Sequence, residues 1–480
     1  MAPGEVFDAE RNGQPVMLTS ATEDFVSRLP GQRRDGPEYF QEPRGRWSGK
    51  GFVLAPGSTS EVAEILSACN AAKVPVLPYG GGTGLVGGQV SEDGPVPIIL
   101  TMERMDKIRE VSAAENVLVA EAGAILTGVQ EAAAAASRLF PLSLASEGSA
   151  RIGGLLSTNA GGLNVLRYGS ARAQVLGLEV VTPDGQIWEG LSRLRKDNTG
   201  YDLRDLYIGA EGTLGVITAA SLRLMPRPAK HGISFLAVNG PDAALTLLGL
   251  AQDQVGEAVS GFELMHRQGL EFLAEVGPQQ SLPLSKAPEW SVLIDLGLAE
   301  GQDPTAALEA LFTKALEMGL VTDGVIASSE TQANALWKIR ESIPEANRRI
   351  GSIYSHDIAL PLSRIGEFII EGQQALERIA PVRINCFGHL GDGNLHYNVF
   401  PPKGQTREAF ASHREAIKDC VYGLVHKYGG SISAEHGIGR LKTGDLELYG
   451  DPVKLSLMRR IKDALDPNGI MNPGAVLRNR

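Results

Sequence analysis

Apolar and polar positions alternate along the chain in short blocks, and each block predicts one element. Residues 51–56 form a brief apolar run that predicts a strand, and Ser58-Thr59-Ser60-Glu61 forms a capping box that opens a helix. Val62, Ile65, Leu66 and Cys69 share one face of that helix, which should end near Lys73. Strands are expected over 97–101, 108–112 and 116–121, then a helix capped by Thr127 with Gln130 three positions on. Residues 175–188 read as a hairpin turning at Pro183-Asp184-Gly185. Pro226-Arg227-Pro228 marks a boundary, because two prolines end a strand. Beyond it the pattern predicts strands at 232–238 and 291–296 and helices at 242–252 and 304–318. Residues 332–344 predict an amphipathic helix broken at Pro344, with Leu336, Ile339 and Ile343 as its buried stripe and Arg340 beside it. Residues 382–400 read as strand, glycine-rich turn, strand. The mixture is that of an α+β protein.

A chain of 480 residues is too long for one core and predicts two or three domains. The net charge of −11, with no long basic run, argues against nucleic acid and anionic membranes as partners. Three dispersed cysteines, Cys69, Cys386 and Cys420, imply a reducing compartment without a disulfide framework. The opening residues carry Glu5, Asp8, Glu10 and Asp24 and no basic head before an apolar stretch, and no apolar run reaches membrane-spanning length. A cytoplasmic location is therefore expected.

Glycine changes the picture, because 57 of them are present and they cluster. Pro78-Tyr79-Gly80-Gly81-Gly82-Thr83-Gly84-Leu85-Val86-Gly87-Gly88 sets a hydroxyl among six glycines, and a second cluster runs over 147–154 and 157–162. Closely spaced glycines let consecutive amides face one anion. Two such loops suggest a ligand larger than a mononucleotide. Late in the chain, residues 387–398 (F-G-H-L-G-D-G-N-L-H-Y-N) and 433–439 (S-A-E-H-G-I-G) hold three of the eight histidines. His389, His396 and Glu435 form a donor set that suits Zn²⁺ or another divalent ion with one position left open.

The P-x-G-G-G-T-G-x-x-G-G loop, the 157–162 run and residues 209–218 resemble the FAD-binding domain of the vanillyl-alcohol oxidase and p-cresol methylhydroxylase superfamily. The resemblance implies a two-part FAD-binding domain over 46–225 after an N-terminal extension of 1–45. It implies an antiparallel-sheet substrate domain over 226–430, and a C-terminal segment over 431–480 that returns to the flavin. FAD is then expected against Pro78, Gly80, Gly81, Gly82, Thr83, Gly84, Leu85, Gly87 and Gly88. Gly148, Ser149, Gly153, Gly154, Thr158, Asn159, Gly161 and Gly162 would follow, then Glu211, Gly212, Gly215, Val216, Ile217 and Asn472. No histidine precedes His231, and Cys69 sits on a packed helix face, so the FAD should be non-covalent.

The two late segments resemble FAD-linked D-2-hydroxyacid dehydrogenases, in wording nearest to those acting on D-2-hydroxyglutarate, with D-lactate and glycolate dehydrogenases as near relatives. The resemblance makes His389, His396 and Glu435 the metal ligands, Arg340 the clamp on the substrate's C1 carboxylate, Asn398 a polar neighbour and His436 the general base. His436 would take the hydroxyl proton while the C2 hydrogen leaves as hydride to flavin N5. Glu435 and His436 are adjacent, so the chain around 434–437 must be irregular. Positions that clamp a distal carboxylate in the family are Pro344 and Ser355 here, which leaves Arg348, Arg349 or His356 for a dicarboxylate and makes D-lactate a competitor. The resemblance also implies a separate electron acceptor, such as an electron-transfer flavoprotein or quinone. An oxygen-using oxidase, a zinc hydrolase and a non-catalytic flavin-binding protein are the alternatives, and a homodimer is among the assemblies left open.

Overall fold

The computed structural model describes residues 20–278 and 281–479, so Glu5, Asp8 and Glu10 lie outside the described residues. The chain divides into two compact units. One takes the described part of Met1–Gly161 together with Ser170–Arg227 and Glu435–Arg480, and the other takes Gly162–Gly169 and Pro228–Ala434. This differs from the expected division: the second unit starts at 228 and runs to 434 rather than from 226 to 430, and two further segments fall elsewhere. Residues 32–34, assigned to an extension, pair with the strand Phe52–Ala55, and the excursion 162–169 belongs to the second unit.

The first unit holds two sheets. Gln32–Arg34 (β1), Phe52–Ala55 (β2), Val76–Tyr79 (β3) and Ile98–Thr101 (β4) lie in the order β1-β2-β4-β3, with β2, β4 and β3 parallel. The helix Thr59–Ala72 makes the β2-to-β3 crossover. Ser58 caps it by accepting from the Glu61 amide at 3.2 Å, and it ends at Lys73 with φ +55°. Its buried stripe is Val62, Ile65, Leu66 and Cys69, so the apolar spacing and the structure agree. Ile108–Ser112 (β5) and Val117–Glu121 (β6) come next, and after the short Arg138–Leu139 (β7) follow Val175–Val181 (β8), Ile187–Gly190 (β9) and Val216–Arg223 (β10). The second sheet has the antiparallel order β5-β6-β10-β8-β9, and β7 pairs instead with Met225–Pro226 (β11). Thr127 does not cap its helix. The element spans Leu126–Ala135, and the Thr127 hydroxyl donates to the Glu147 carbonyl at 3.0 Å, which ties the helix to the second glycine cluster.

The second unit is one antiparallel sheet. Its strands are Lys230–Val238 (β12), Val259–His266 (β13), Trp290–Leu298 (β14), Val321–Ile326 (β15), Tyr354–Ala359 (β16), Arg383–His389 (β17) and Asn394–Phe400 (β18), ordered β15-β12-β14-β13-β17-β18-β16. Helices Arg267–Val276 and Glu330–Ile350 cover one face through Phe235, Met265, Leu293, Leu336, Ile339 and Ile343. The expected break at Pro344 does not occur, because the helix runs on to Ile350. Proline costs a helix one hydrogen bond, here the one that the Arg340 carbonyl would accept, and the buried stripe continuing through Ala346 and Asn347 offsets that loss.

Candidate active site

In the first unit, the glycine loop after β3, the turn into the short helix Ile152–Ser157, residues 211–217 and the segment after Glu435 wall a cavity of about 920 Å³, mouth included. Its lining includes Pro78, Gly80, Gly81, Gly82, Thr83, Gly84, Gly88, Gly153, Gly154, Thr158, Glu211, Gly212, Gly215, Val216, Ile217, His436 and Asn472. Glycine-rich main chain makes much of this wall, at places where a side chain has no room. A Cβ on Gly81 would lie 2.1 Å from the Ser149 carbonyl oxygen. Leu85, Gly87, Gly148, Ser149, Asn159, Gly161 and Gly162 stand outside the lining. Ser149 backs Gly81, and the Gly87 carbonyl accepts from Arg440. The Asn159 carboxamide accepts from the Ser170 hydroxyl and the Arg172 amide, so it fastens a turn. Gly161 lies against the Glu435 carboxylate, and Gly162 belongs to the other unit. Tyr79, Val86, Gln89, Met102, Ala150, Arg151, Leu155 and Ser157, which the sequence did not assign to the cofactor, also line the cavity. Gln89 had a signal, being an amide beside a glycine run, and its Nε2 donates to the carbonyls of Gly82 and Gly84.

Glu211 lines the cavity and also serves the neighbouring loop. Its carboxylate accepts from the amides of Ile438 and Gly439, both at 2.8 Å, and so fixes the loop that carries His436. Burial raises its pKa, and these amides with the Lys442 and Arg440 charges oppose the rise. The loop is irregular as expected: Gly437 takes φ +78°, and a Cβ there would meet Glu211 Oε1 at 2.7 Å. Arg440 ties the parts together. It donates to the carbonyls of Gly87, Gly88 and Pro473 and to Asn472 Oδ1, and burial lowers its pKa to about 10. Asn472 in turn donates to the carbonyls of Gly88 and Glu211.

In the second unit the strand registers place a polar group on one face of the sheet. Glu263 pairs with His389, Phe387 with His396, Asn385 with Asn398, and Asp357 with His396. Paired residues share a face, and side chains alternate along a strand. These residues therefore point to the side covered by the helix Glu330–Ile350. Arg340 on that helix donates from Nε to Glu263 Oε2 at 2.7 Å, with its guanidinium 4.8 Å from the Phe387 ring centre. His389 Nδ1 meets the other Glu263 oxygen at 2.5 Å, and the His389 and His396 rings are 5.6 Å apart. Burial works to raise the Glu263 pKa, but the charges and hydrogen bonds of His389 and Arg340 outweigh it and bring it to about 2. Glu263 is not among the residues expected from the sequence. Its one signal is an acid inside the apolar run of β13.

Ala434, the last residue of this unit, donates its amide to the Asp357 carbonyl at 3.2 Å, and Glu435 is the next residue of the chain. None of the three alternative distal groups sits with this cluster. His356 points to the opposite face, its Nδ1 2.8 Å from the Tyr397 carbonyl, while Arg348 and Arg349 pair with Glu345 at the exposed end of their helix.

Two family models match the chain, the FAD binding domain over residues 51–190 and the C-terminal domain of FAD linked oxidases over residues 227–476. A mitochondrial D-2-hydroxyglutarate dehydrogenase of Arabidopsis thaliana is 39% identical over 89% of this chain and 75% of its own length. The chain belongs to the FAD-linked D-2-hydroxyacid dehydrogenase family. A Bos taurus protein of the same printed name is 39% identical over 97% of this chain and 85% of that one. The solved structure of p-cresol methylhydroxylase with substrate bound covers 95% of this chain and 93% of its own, with a TM-score of 0.70 at 14% identity, a likeness of fold. The enzyme is thus an FAD-dependent 2-hydroxyacid dehydrogenase. The cytoplasmic expectation is overturned, because the Arabidopsis and Bos taurus relatives are named mitochondrial. No helix among the described residues is long and apolar enough to cross a membrane.

Proposed function

We propose that the enzyme oxidises D-2-hydroxyglutarate to 2-oxoglutarate, aided by a divalent ion such as zinc on His389, His396 and Glu435, and passes its electrons to a separate acceptor. One observation carries the reading: Arg340 and His389 are locked to the two oxygens of one buried carboxylate, on the sheet face that also bears His396 and Asn398. The donor set suits the ion, since His389 is held through Nδ1 and keeps Nε2 for ligation. The glycine cavity suits FAD in size and in its main-chain wall. Cys69 is buried, with its thiol pushed up to about 12, which favours non-covalent FAD.

Bound FAD supplies the two-electron acceptor, and the ion supplies positive charge for the developing alkoxide. Arg340 binds the C1 carboxylate through its planar fork, with Nε already fixed by Glu263. Asn398 would offer its amide from the same sheet face. His436, on the loop held by Glu211, takes the hydroxyl proton as the C2 hydrogen departs with its electron pair.

A second reading, a D-lactate or other monocarboxylate dehydrogenase, has one observation in its favour. Pro344 is an exposed residue of its helix and carries no polar group, and the Ser355 hydroxyl is spent on Ser352 at 2.7 Å. Anaerobic bleaching of the flavin band by D- and L-2-hydroxy acids, with and without prior chelation, tests both. Bleaching by D-2-hydroxyglutarate that chelation abolishes is expected. Bleaching by D-lactate alone selects the second reading, and none by any acid removes both.

A further inference from the structure

A buried carboxylate on a strand is costly unless every lone pair it turns inward is met. Glu263 is fully buried at the centre of β13, directly across from His389, and it has two partners that differ in kind. Arg340 Nε can only donate. His389 Nδ1 can donate or accept, and the carboxylate, an acceptor only, forces it to donate. The proton on Nδ1 leaves Nε2 with its lone pair.

Resting on the metal-assisted reading above, we propose that Glu263 is the positioning residue that couples the two ends of the site, orienting the Arg340 clamp with one oxygen and setting the metal-binding tautomer of His389 with the other. Neither partner could be placed as well by an apolar neighbour, and one residue doing both explains a fully buried acid between Phe262 and Leu264.

Glu263→Gln separates the two duties. Its amide oxygen must turn to Arg340, which offers only hydrogens. The NH₂ group then faces His389, whose Nδ1 has to accept, so the proton moves to Nε2 and blocks ligation. Glu263→Leu removes both duties. The test uses FAD-loaded full-length protein, with zinc as the probe, measured by equilibrium dialysis against graded chelator and paired with steady-state kinetics. For E263Q, zinc affinity should fall by about 10–100-fold, with KM changed less than about 3-fold. For E263L, zinc affinity should fall and KM should rise together. Because E263Q buries a new amide and could fail to fold, a second measurement uses the unmutated protein. Two-bond ¹H–¹⁵N spectra of selectively ¹⁵N-histidine-labelled, metal-free enzyme, with His389 assigned through His389→Gln, should show the Nδ1–H form. An Nε2–H form there, or zinc binding by folded E263Q equal to the unmutated protein, overturns the proposal. If the unmutated protein itself binds no zinc, the metal reading falls and the tautomer half of the proposal with it.

Discussion

The cavity of the first unit is walled in good part by glycine-rich main chain, whereas the polar end of the seven-stranded sheet is built from side chains that hold one another. The two fail differently. A main-chain wall tolerates no added atom, as at Gly81, but asks little of any one hydrogen bond. The side-chain cluster has space for near-isosteric changes, yet each change redirects a neighbour, because Glu263 serves Arg340 and His389 together. Cofactor retention should therefore follow shape, and substrate handling should follow hydrogen-bond chemistry.

The largest effect should come from His436→Ala, which lowers kcat by about 10²–10⁴-fold. FAD content should not change, because His436 is one of many residues that line the cavity; rapid-mixing kinetics beside the flavin spectrum measures both. Gly81→Ala should invert that pattern, shedding FAD and costing about 1–3 kcal/mol in denaturant unfolding, since the new methyl meets a carbonyl that cannot retreat. A Gly81→Ala protein with full flavin occupancy would break the contrast between the regions. Arg340→Lys keeps a charge but loses the Nε donor to Glu263, and KM for the hydroxy acid should rise about 10–100-fold, equivalent to roughly 1.5–3 kcal/mol for a charged hydrogen bond. Glu211→Gln leaves one good acceptor for two amides. It should lower kcat about 5–10-fold with FAD bound, from a loss of about 1 kcal/mol. The smallest is Ser58→Ala, which removes a helix cap and should cost about 1 kcal/mol in stability with turnover untouched.

The same contrast explains what could be read in the chain beforehand. Glycine spacing announces a main-chain wall because each glycine is there for a local reason, and the Ser58 cap and the hairpin at 183–185 are likewise settled within a few residues. Glu263 was not legible. Its partners stand far along the chain, and nothing near β13 says that an acid there is satisfied. Thr127 and Pro344 misled for a related reason: local rules gave one a cap and the other a break, and tertiary partners at Glu147 and along the Ala346–Asn347 stripe overrode them. Glu211 was found by its glycine company, yet its hold on the His436 loop came only with the fold.

The cavity draws on a segment late in the chain. Asn472 bonds to Gly88 and Glu211, and the backbone on either side of Met471 pairs with Val76: the Val76 amide donates to the Ile470 carbonyl, and the Asn472 amide donates to the Val76 carbonyl. A ribosome adding about 5–20 residues per second needs roughly 20–80 s to travel from the glycine loop to that segment. Throughout that interval the nascent cradle lacks one wall, so on the proposed reading FAD should be captured only after residue 472 has been added.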